Sequence, residues 1–362
     1  MNLEFPFNSL SFGQISCNIT YELYKRGIQP NIFPISQPDL SAFDKLPDEF
    51  KNWLAAGMNG AVKKFKKDYQ YLKLWHISQS CHHLSEPSAL LTFYELDSPT
   101  DLEVNILNQF SKIFVTSTCS KTIFCDYGVK TPIVYVPLGF DNLHFAHIEN
   151  PRKLDGVVSF ILVGKAEKRK HTEQVIRAWC RKFGGDHKYR LHLHVTNPFF
   201  QPDQMNAFYA RVFDNNRPPF NITIFNFVQK NSEFNGYLNA ADIVLDLSGG
   251  ESLSLPSLTA VAIGKHAVVH NCSAFKDWAK EENAVLVNPS GKEPAYDGVF
   301  FHPNSGYNAG NIYTFNDDDF ITGCEAAIKR FEKNPINEAG FKLQETHSYK
   351  KGVDIILENL KD

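Results

Sequence analysis

The sequence predicts a two-domain α/β protein in which each domain is built on a parallel sheet. Three observations predict it. At 362 residues the chain is long enough for two domains of ordinary size. Short β-branched and aromatic runs alternate with helical stretches along most of its length. The alternation stops once, over 141–156, where Asp141-Asn142, Asn150-Pro151-Arg152-Lys153 and Asp155-Gly156 make a polar, turn-rich stretch. We expect an N-terminal domain over 1–150, a second over 151–335, and a helical segment over 336–362 that returns to the first.

The elements follow in order. Asn8-Ser9-Leu10-Ser11-Phe12-Gly13-Gln14-Ile15-Ser16 reads as a small-residue turn, ahead of a helix over Cys17–Arg26 that Gly27 stops. Such a turn frees helix N–H groups for a phosphate, although with one glycine an ordinary loop-to-helix junction explains it too. Strands are expected at Leu72–Ile77, Leu90–Tyr94, Lys112–Thr116 and Ile133–Val136. A helix over Leu102–Gln109 opens on Ser98-Pro99-Thr100-Asp101, and one over Ser120–Tyr127 closes on Gly128. After the interruption come strand Val157–Val163, helix Thr172–Lys182 and strands Tyr189–Val195, Ile222–Phe227 and Ile243–Leu247. Helix Leu255–Ile263 and strand Ala267–His270 follow. Tyr349–Leu360 is an amphipathic helix with Val353, Ile356, Leu357 and Leu360 on one face.

Composition removes whole classes. With 43% hydrophobic and 21% charged residues, the chain is neither disordered nor fibrous. No apolar run approaches the roughly 20 residues of a membrane span. Met1-Asn2-Leu3-Glu4 lacks a basic segment followed by an apolar one, so no secretion signal is expected. Seven scattered cysteines without a C-x-x-C pair fit reduced thiols in a cytoplasmic setting. A net charge of −3 argues against non-specific nucleic-acid binding. The one basic-aromatic cluster, Lys63-Lys64-Phe65-Lys66-Lys67 with Tyr69 and Tyr71, is either a solvated helix face or a contact for DNA or lipid phosphates.

Two further segments carry chemistry. Gly164-Lys165-Ala166-Glu167-Lys168-Arg169-Lys170-His171-Thr172 puts four cations between a strand and a helix, where α/β folds bind ligands and cations neutralise a pyrophosphate. A solvated charged loop is the plainer reading. In Asp246-Leu247-Ser248-Gly249-Gly250-Glu251-Ser252-Leu253-Ser254-Leu255-Pro256 a strand ends in Ser-Gly-Gly, and Pro256 suits the first turn of a helix. Two glycines let a backbone approach a ligand closely, and Glu251 near a helix start is favoured by the dipole, with or without a ligand. His192 and His194 share one strand face by period-two geometry, without an evident third metal ligand. Cys81-His82-His83 lacks spaced partners for a metal, and Asp317-Asp318-Asp319 reads as a solvated turn before a helix.

Taken together, these segments resemble the GT-B-fold retaining glycosyltransferases of the family 4 type, over about 340 residues. Ser11-Phe12-Gly13 is similar to the family's first loop. Val136-Pro137-Leu138-Gly139-Phe140-Asp141 is close to V-P-x-G-[VF]-D, and Gly164-Lys165 with Lys170 matches G-R…K-G. Ala241-Asp242-Ile243-Val244-Leu245-Asp246-Leu247-Ser248 matches A-D-[VI]-x-[VL]-x-P-S. Glu251 through Gly264 follows E-x-x-x-L-P-x-x-E-A-x-A-x-G, and His347-Ser348-Tyr349 resembles x-S-W. Three departures stand out. Lys165 replaces Arg, which exchanges a bidentate contact for a point charge. Thr259 replaces the second Glu, which in the family holds the nucleotide ribose. Ser252-Leu253-Ser254 replaces Gly-Phe/Leu-Gly.

The resemblance implies two Rossmann-like domains facing across a cleft, and metal-independent transfer of a sugar from a nucleotide-sugar donor with retention. No cofactor is implied beyond that co-substrate. Lys165 and Lys170 would bind the diphosphate, and Glu251 would orient hydroxyls of the donor sugar. Phe12, Gly13, Ser248, Gly250, Ser252, Leu253 and Thr259 complete the expected donor site. Glu95, after strand Leu90–Phe93 where many relatives place a His, is expected to contact an acceptor hydroxyl or balance charge, or else to be a structural or surface Glu; Asp97 is a lesser candidate. The acceptor is a glycan, a lipid-linked sugar or, alternatively, hydroxymethylated DNA. A non-catalytic nucleotide-sugar binder is the third reading.

Overall fold

The computed structural model describes residues 1–149, 151 and 156–361. The centre of the expected interruption, Asn150 and Arg152–Asp155, lies outside the described residues. Six strands of the first half are β1 (Asn2–Phe5), β2 (Asn31–Pro34), β3 (Tyr71–Leu74), β4 (Ser88–Thr92), β5 (Lys112–Val115) and β6 (Ile133–Tyr135). They pair in parallel in the order β2-β1-β3-β4-β5-β6. The second half contributes β7 (Val158–Lys165), β8 (Tyr189–Thr196), β9 (Ile222–Ile224), β10 (Ile243–Asp246), β11 (His266–His270) and β12 (Val285–Val287). These are also parallel, in the order β12-β11-β10-β7-β8-β9. Purely parallel sheets need both faces covered by crossover helices, which accounts for fully buried strands such as β4, β10 and β11.

Strand order then locates the ligand region. In each sheet the winding reverses once, between β1 and β3 in the first and between β7 and β10 in the second. Crevices outside the carboxyl ends of strands at such reversals are where open α/β sheets bind ligands. The loops at those ends carry Ser9–Phe12, His76, Gly164–Lys170 and Ser248–Leu253. Of these, Ser9–Phe12, His76, Gly164, Lys165, Arg169, Lys170 and Glu251–Leu253 line one cleft between the two sheets.

Several local readings shift. The first helix spans Ser11–Lys25, so Ser11–Ser16 of the small-residue run open it and only Asn8–Leu10 form the turn before it. The strand expected over Ile222–Phe227 ends at Ile224, and Phe225–Phe227 leave the sheet. Asp317–Asp319 form the first turn of helix Asp317–Lys333, where their charge complements the helix dipole. A hairpin of β13 (Gly291–Pro294) and β14 (Asn311–Thr314) crosses to the first half. Its Ile312, with Ala295 and Phe301 of the intervening loop, joins an apolar cluster with Tyr71, Leu90, Tyr94 and Leu96. Lys292 Nζ reaches Asp97 at 2.8 Å, and the Asn311 N–H donates to the same carboxylate at 2.7 Å. Helix Tyr349–Asn359 lies against the first helix, with Arg26 Nη1 2.9 Å from Asp354.

Candidate active cleft

The cleft encloses about 430 Å³. From the first half its wall takes Ser9–Phe12, Gln14, His76, Phe93 and Glu95; from the second, Lys165, Arg169, Lys170, His194, Glu251–Pro256 and Thr259. Phe12 packs at 4.6 Å from Phe93 and 4.4 Å from His76, ring centre to ring centre. Gln14 and Asn231 exchange amide hydrogen bonds across the cleft at 3.1 and 2.9 Å.

Its floor is a charge network. Glu251 Oε1 accepts from Lys170 Nζ at 2.5 Å and from Arg169 Nη1 at 2.9 Å. Burial works against this carboxylate's charge, but Lys170 and Arg169 outweigh it and hold Glu251 well below the usual range. Arg169 is 3% exposed. Its Nη2 bonds Glu167 at 2.7 Å, its Nη1 also reaches the Gly250 carbonyl, and its Nε lies 3.3 Å from Glu95. Glu95 thus balances the charge of Arg169 across the two halves. Burial pushes Glu95 up, Arg169 opposes this, and Glu251 and Glu167 add to the rise. Lys165 Nζ sits 3.4 Å from Glu167 and 4.8 Å from the Phe300 ring centre.

Helix starts complete the wall. Among the described residues, the backbone N–H groups of Ser252, Leu253, Ser254 and Leu255 have no acceptor, at the mouth of helix Leu255–Ala262. Free N–H groups at a helix start make a cradle for an anion. Ser254 holds a left-handed backbone with φ of 60°, at the position where the motif has glycine. For a residue with a Cβ that conformation costs roughly 1–2 kcal/mol. Its hydroxyl is tied to the Asp246 carboxylate and lies 2.6 Å from the Ser257 hydroxyl, which offsets the cost. His171 takes the other glycine place, after Lys170, with φ of 50°; its Nε2 pairs with the Tyr313 carbonyl at 2.8 Å. Thr259 lines the cleft, and its hydroxyl has no partner among the described residues.

Several expected donor residues stand elsewhere. Gly13, Ser248 and Gly250 do not line the cleft. A Cβ on Gly13 would meet the Asn8 carbonyl at 2.2 Å, and one on Gly250 would meet the Glu95 carbonyl at 2.1 Å. A Cβ on Gly249 would meet the Tyr313 carbonyl at 2.5 Å. What the glycines admit is the chain's own backbone, not a ligand. Ser248 is buried, its hydroxyl donating to the Arg169 and Gly250 carbonyls. Ser252 faces the cleft and also ties the halves together: its Oγ accepts from the Tyr94 N–H at 3.1 Å, and its carbonyl accepts from the Thr116 hydroxyl at 2.8 Å. Asp97 belongs to the hairpin contact. Arg169 and Glu167 had no separate place in the sequence reading beyond the basic run.

The lysine cluster is remote. Asn2 and Asn31 begin β1 and β2, and their amides donate to the carbonyls of Lys66 and Lys64 at 3.2 Å. The cluster therefore lies at the amino ends of the strands, opposite the cleft, where Lys63, Lys64, Lys66 and Lys67 are solvated. A larger hollow of about 650 Å³ lies behind residues 166–168. Its Arg177 and Arg211 are already paired with Glu173.

No protein-family model and no curated protein sequence matches the chain. Solved structures do. A sucrose-phosphate synthase from Thermosynechococcus elongatus superposes with a TM-score of 0.68 at 12% identity, covering 99% of this chain and 98% of that one. A glycosyltransferase from Rickettsia africae gives 0.68 at 14%, covering 99% and 97%. The Anabaena protein HepE, crystallised with UDP and glucose, gives 0.61 at 14%, covering 100% and 99%. At these identities the likeness establishes the fold. The chain has the two-sheet GT-B arrangement that its motifs resemble.

Proposed function

We propose that this GT-B chain is a retaining glycosyltransferase, moving a sugar from a nucleotide-sugar donor to a hydroxyl of a glycan or lipid-linked sugar. One observation carries the reading. Lys165, Lys170 and the open N–H groups of Ser252–Leu255 converge with Glu251 at the carboxyl ends of β7 and β10. That set suits a diphosphate with a sugar beside it. The diphosphate would draw Lys170 from Glu251, freeing the carboxylate for donor-sugar hydroxyls. As the bond from anomeric carbon to phosphate oxygen breaks, Lys165, Lys170 and the N–H cradle would stabilise the charge left on the diphosphate. The acceptor oxygen would bond to the anomeric carbon on the same face, its proton passing to the departing phosphate oxygen. No metal is assigned a part.

The acceptor side favours a neutral hydroxyl compound over DNA. No Lys or Arg from residues 1–149 lines the cleft, and the lysine cluster is at the far end of the sheet. Groove or phosphate binding of DNA depends on such cations. HepE was crystallised with UDP, so UDP-sugars head the donor screen. The test is a thermal-shift series with UDP-, GDP-, ADP- and CMP-sugars, followed by nucleotide release with glycan acceptors, with and without EDTA. Stabilisation by one donor class and turnover resistant to EDTA are expected. No stabilisation by any donor sinks the reading, and stabilisation without turnover or hydrolysis makes the protein a binder.

A further inference from the structure

His194 is 7% exposed, and neither ring nitrogen has a hydrogen-bond partner among the described residues. An unsatisfied buried polar atom costs about 1–3 kcal/mol. Packing does not require these nitrogens. The ring stacks on Phe225 at 4.5 Å with planes 5° apart and lies 4.7 Å from Tyr237. A phenylalanine would fill that slot without the cost. Among the described residues, the only buried side-chain atoms lacking partners that belong to the cleft wall are those of His194 and Arg169 Nε. Arg169 faces carboxylates. His194 lines the cleft, and its two buried ring nitrogens have nothing to bond among the described residues. His192, two residues earlier, does not line the cleft.

The register fixes where this edge lies. β8 runs beside β7 with Val163 opposite His194 and Lys165 opposite Thr196. One strand spacing and a two-residue rise separate the backbones of Lys165 and His194 by about 8 Å. That is the order of the span a ribose puts between a phosphate and its base.

We propose that His194 reads the hydrogen-bonding edge of the donor's nucleobase and so sets which nucleotide the cleft accepts. This rests on the nucleotide-sugar reading of the same cleft. Burial, with His192 adding, lowers the imidazole to about 4, so it is neutral at pH 7. A neutral ring offers one donor and one acceptor, and a base edge with an acceptor beside a donor is its complement. Asn226 and Gln229, in the same wall, bring amides with the same double capacity.

The test is calorimetric titration of UDP, GDP, ADP, CDP and inorganic pyrophosphate into the parent, His194→Phe and His194→Gln, each shown to be folded by its melting curve. Loss of a hydrogen bond to a ligand should weaken the preferred nucleoside diphosphate about tenfold in His194→Phe. It should also flatten the ranking among bases. Pyrophosphate, which has no base, should bind as in the parent, and His194→Gln should restore part of the ranking. If His194→Phe keeps the parent's affinity and ranking, or weakens pyrophosphate and nucleotide alike, the proposal is overturned while the donor reading stands. A parent that binds none of the nucleotides overturns the donor reading itself, and this proposal with it.

Discussion

Replacing Arg169 with methionine removes the one guanidinium that faces Glu95, Glu167 and Glu251 together, at 3.3, 2.7 and 2.9 Å. Breaking a buried ion pair from one side costs about 3–5 kcal/mol. The lower end applies here, because Glu251 keeps Lys170 at 2.5 Å and Glu167 keeps Lys165 at 3.4 Å. Glu95, about a third exposed, is partly relieved by solvent. At about 1.3 °C per kcal/mol for a chain of this length, the melting temperature should fall by about 4 °C.

The pH dependence adds a sign. Glu95 is already pushed up by burial in the parent, and losing Arg169 raises it further. A carboxyl whose folded value exceeds its unfolded one destabilises the fold at high pH and stops doing so as pH falls through the folded value. The deficit of Arg169→Met should therefore shrink between pH 7.5 and 5.5, and adding Glu95→Gln should recover part of it at pH 7.5. Glu251 works oppositely. Held at about 2 against an ordinary 4.5, it stabilises the parent above that ordinary value and loses this only as pH falls below it. Circular-dichroism melts of the parent, both single variants and the double variant at two pH values decide the matter. An unchanged melting temperature for Arg169→Met, or a deficit that grows toward pH 5.5, refutes the reasoning.

Lys170→Ala should weaken nucleotide-sugar binding about 10- to 100-fold in calorimetry, the loss of one charge-assisted contact. Lys165→Ala should weaken it less, because Lys165 is a half-open ammonium resting on Phe300. Glu251→Gln should remove most transfer in initial-rate assays while Thr259→Ala stays near the parent. Thr259→Glu should change the rate's dependence on donor concentration without lowering the melting temperature. Gly250→Ala forces the Glu95 carbonyl, 2.1 Å from the new Cβ, to retreat by more than 1 Å; misplacement on that scale should cost turnover about 100-fold.

How much of this was legible depended on how local each cause is. β7, β10 and β11 are apolar runs bounded by glycine or charge, so their existence and type could be read directly. β1 and β2, Asn-Leu-Glu-Phe and Asn-Ile-Phe-Pro, lack the unbroken three-residue apolar run that marks β10 at the same length. The charged segment after β7 was legible as a group of cations but not as individual roles. Lys168–Lys170 form one turn of 3₁₀ helix, whose three residues per turn send successive side chains about 120° apart. Lys168 therefore leaves for the Pro294 carbonyl at 2.7 Å, Arg169 turns in to the carboxylates, and Lys170 points to Glu251. Composition counts three positive charges there; only the turn distributes them.

Gly249 and Gly250 make the same point about contacts with residues far along the chain. Two glycines after a strand announce that something comes close, and a ligand was the natural occupant to expect. The occupants are the Tyr313 carbonyl, from the hairpin, and the Glu95 carbonyl, from the other sheet. Both lie far along the chain, and nothing within 246–256 names them. Their consequence is functional as well as structural. The close approach at Gly250 brings Glu95 to Arg169, Arg169 holds Glu251, and Ser252 is fixed to Tyr94 and Thr116 in the same contact. Docking the halves and setting the carboxylate are therefore one event. A substitution that only parts the halves at Gly250 should impair the site even though Gly250 itself is not in the cleft wall.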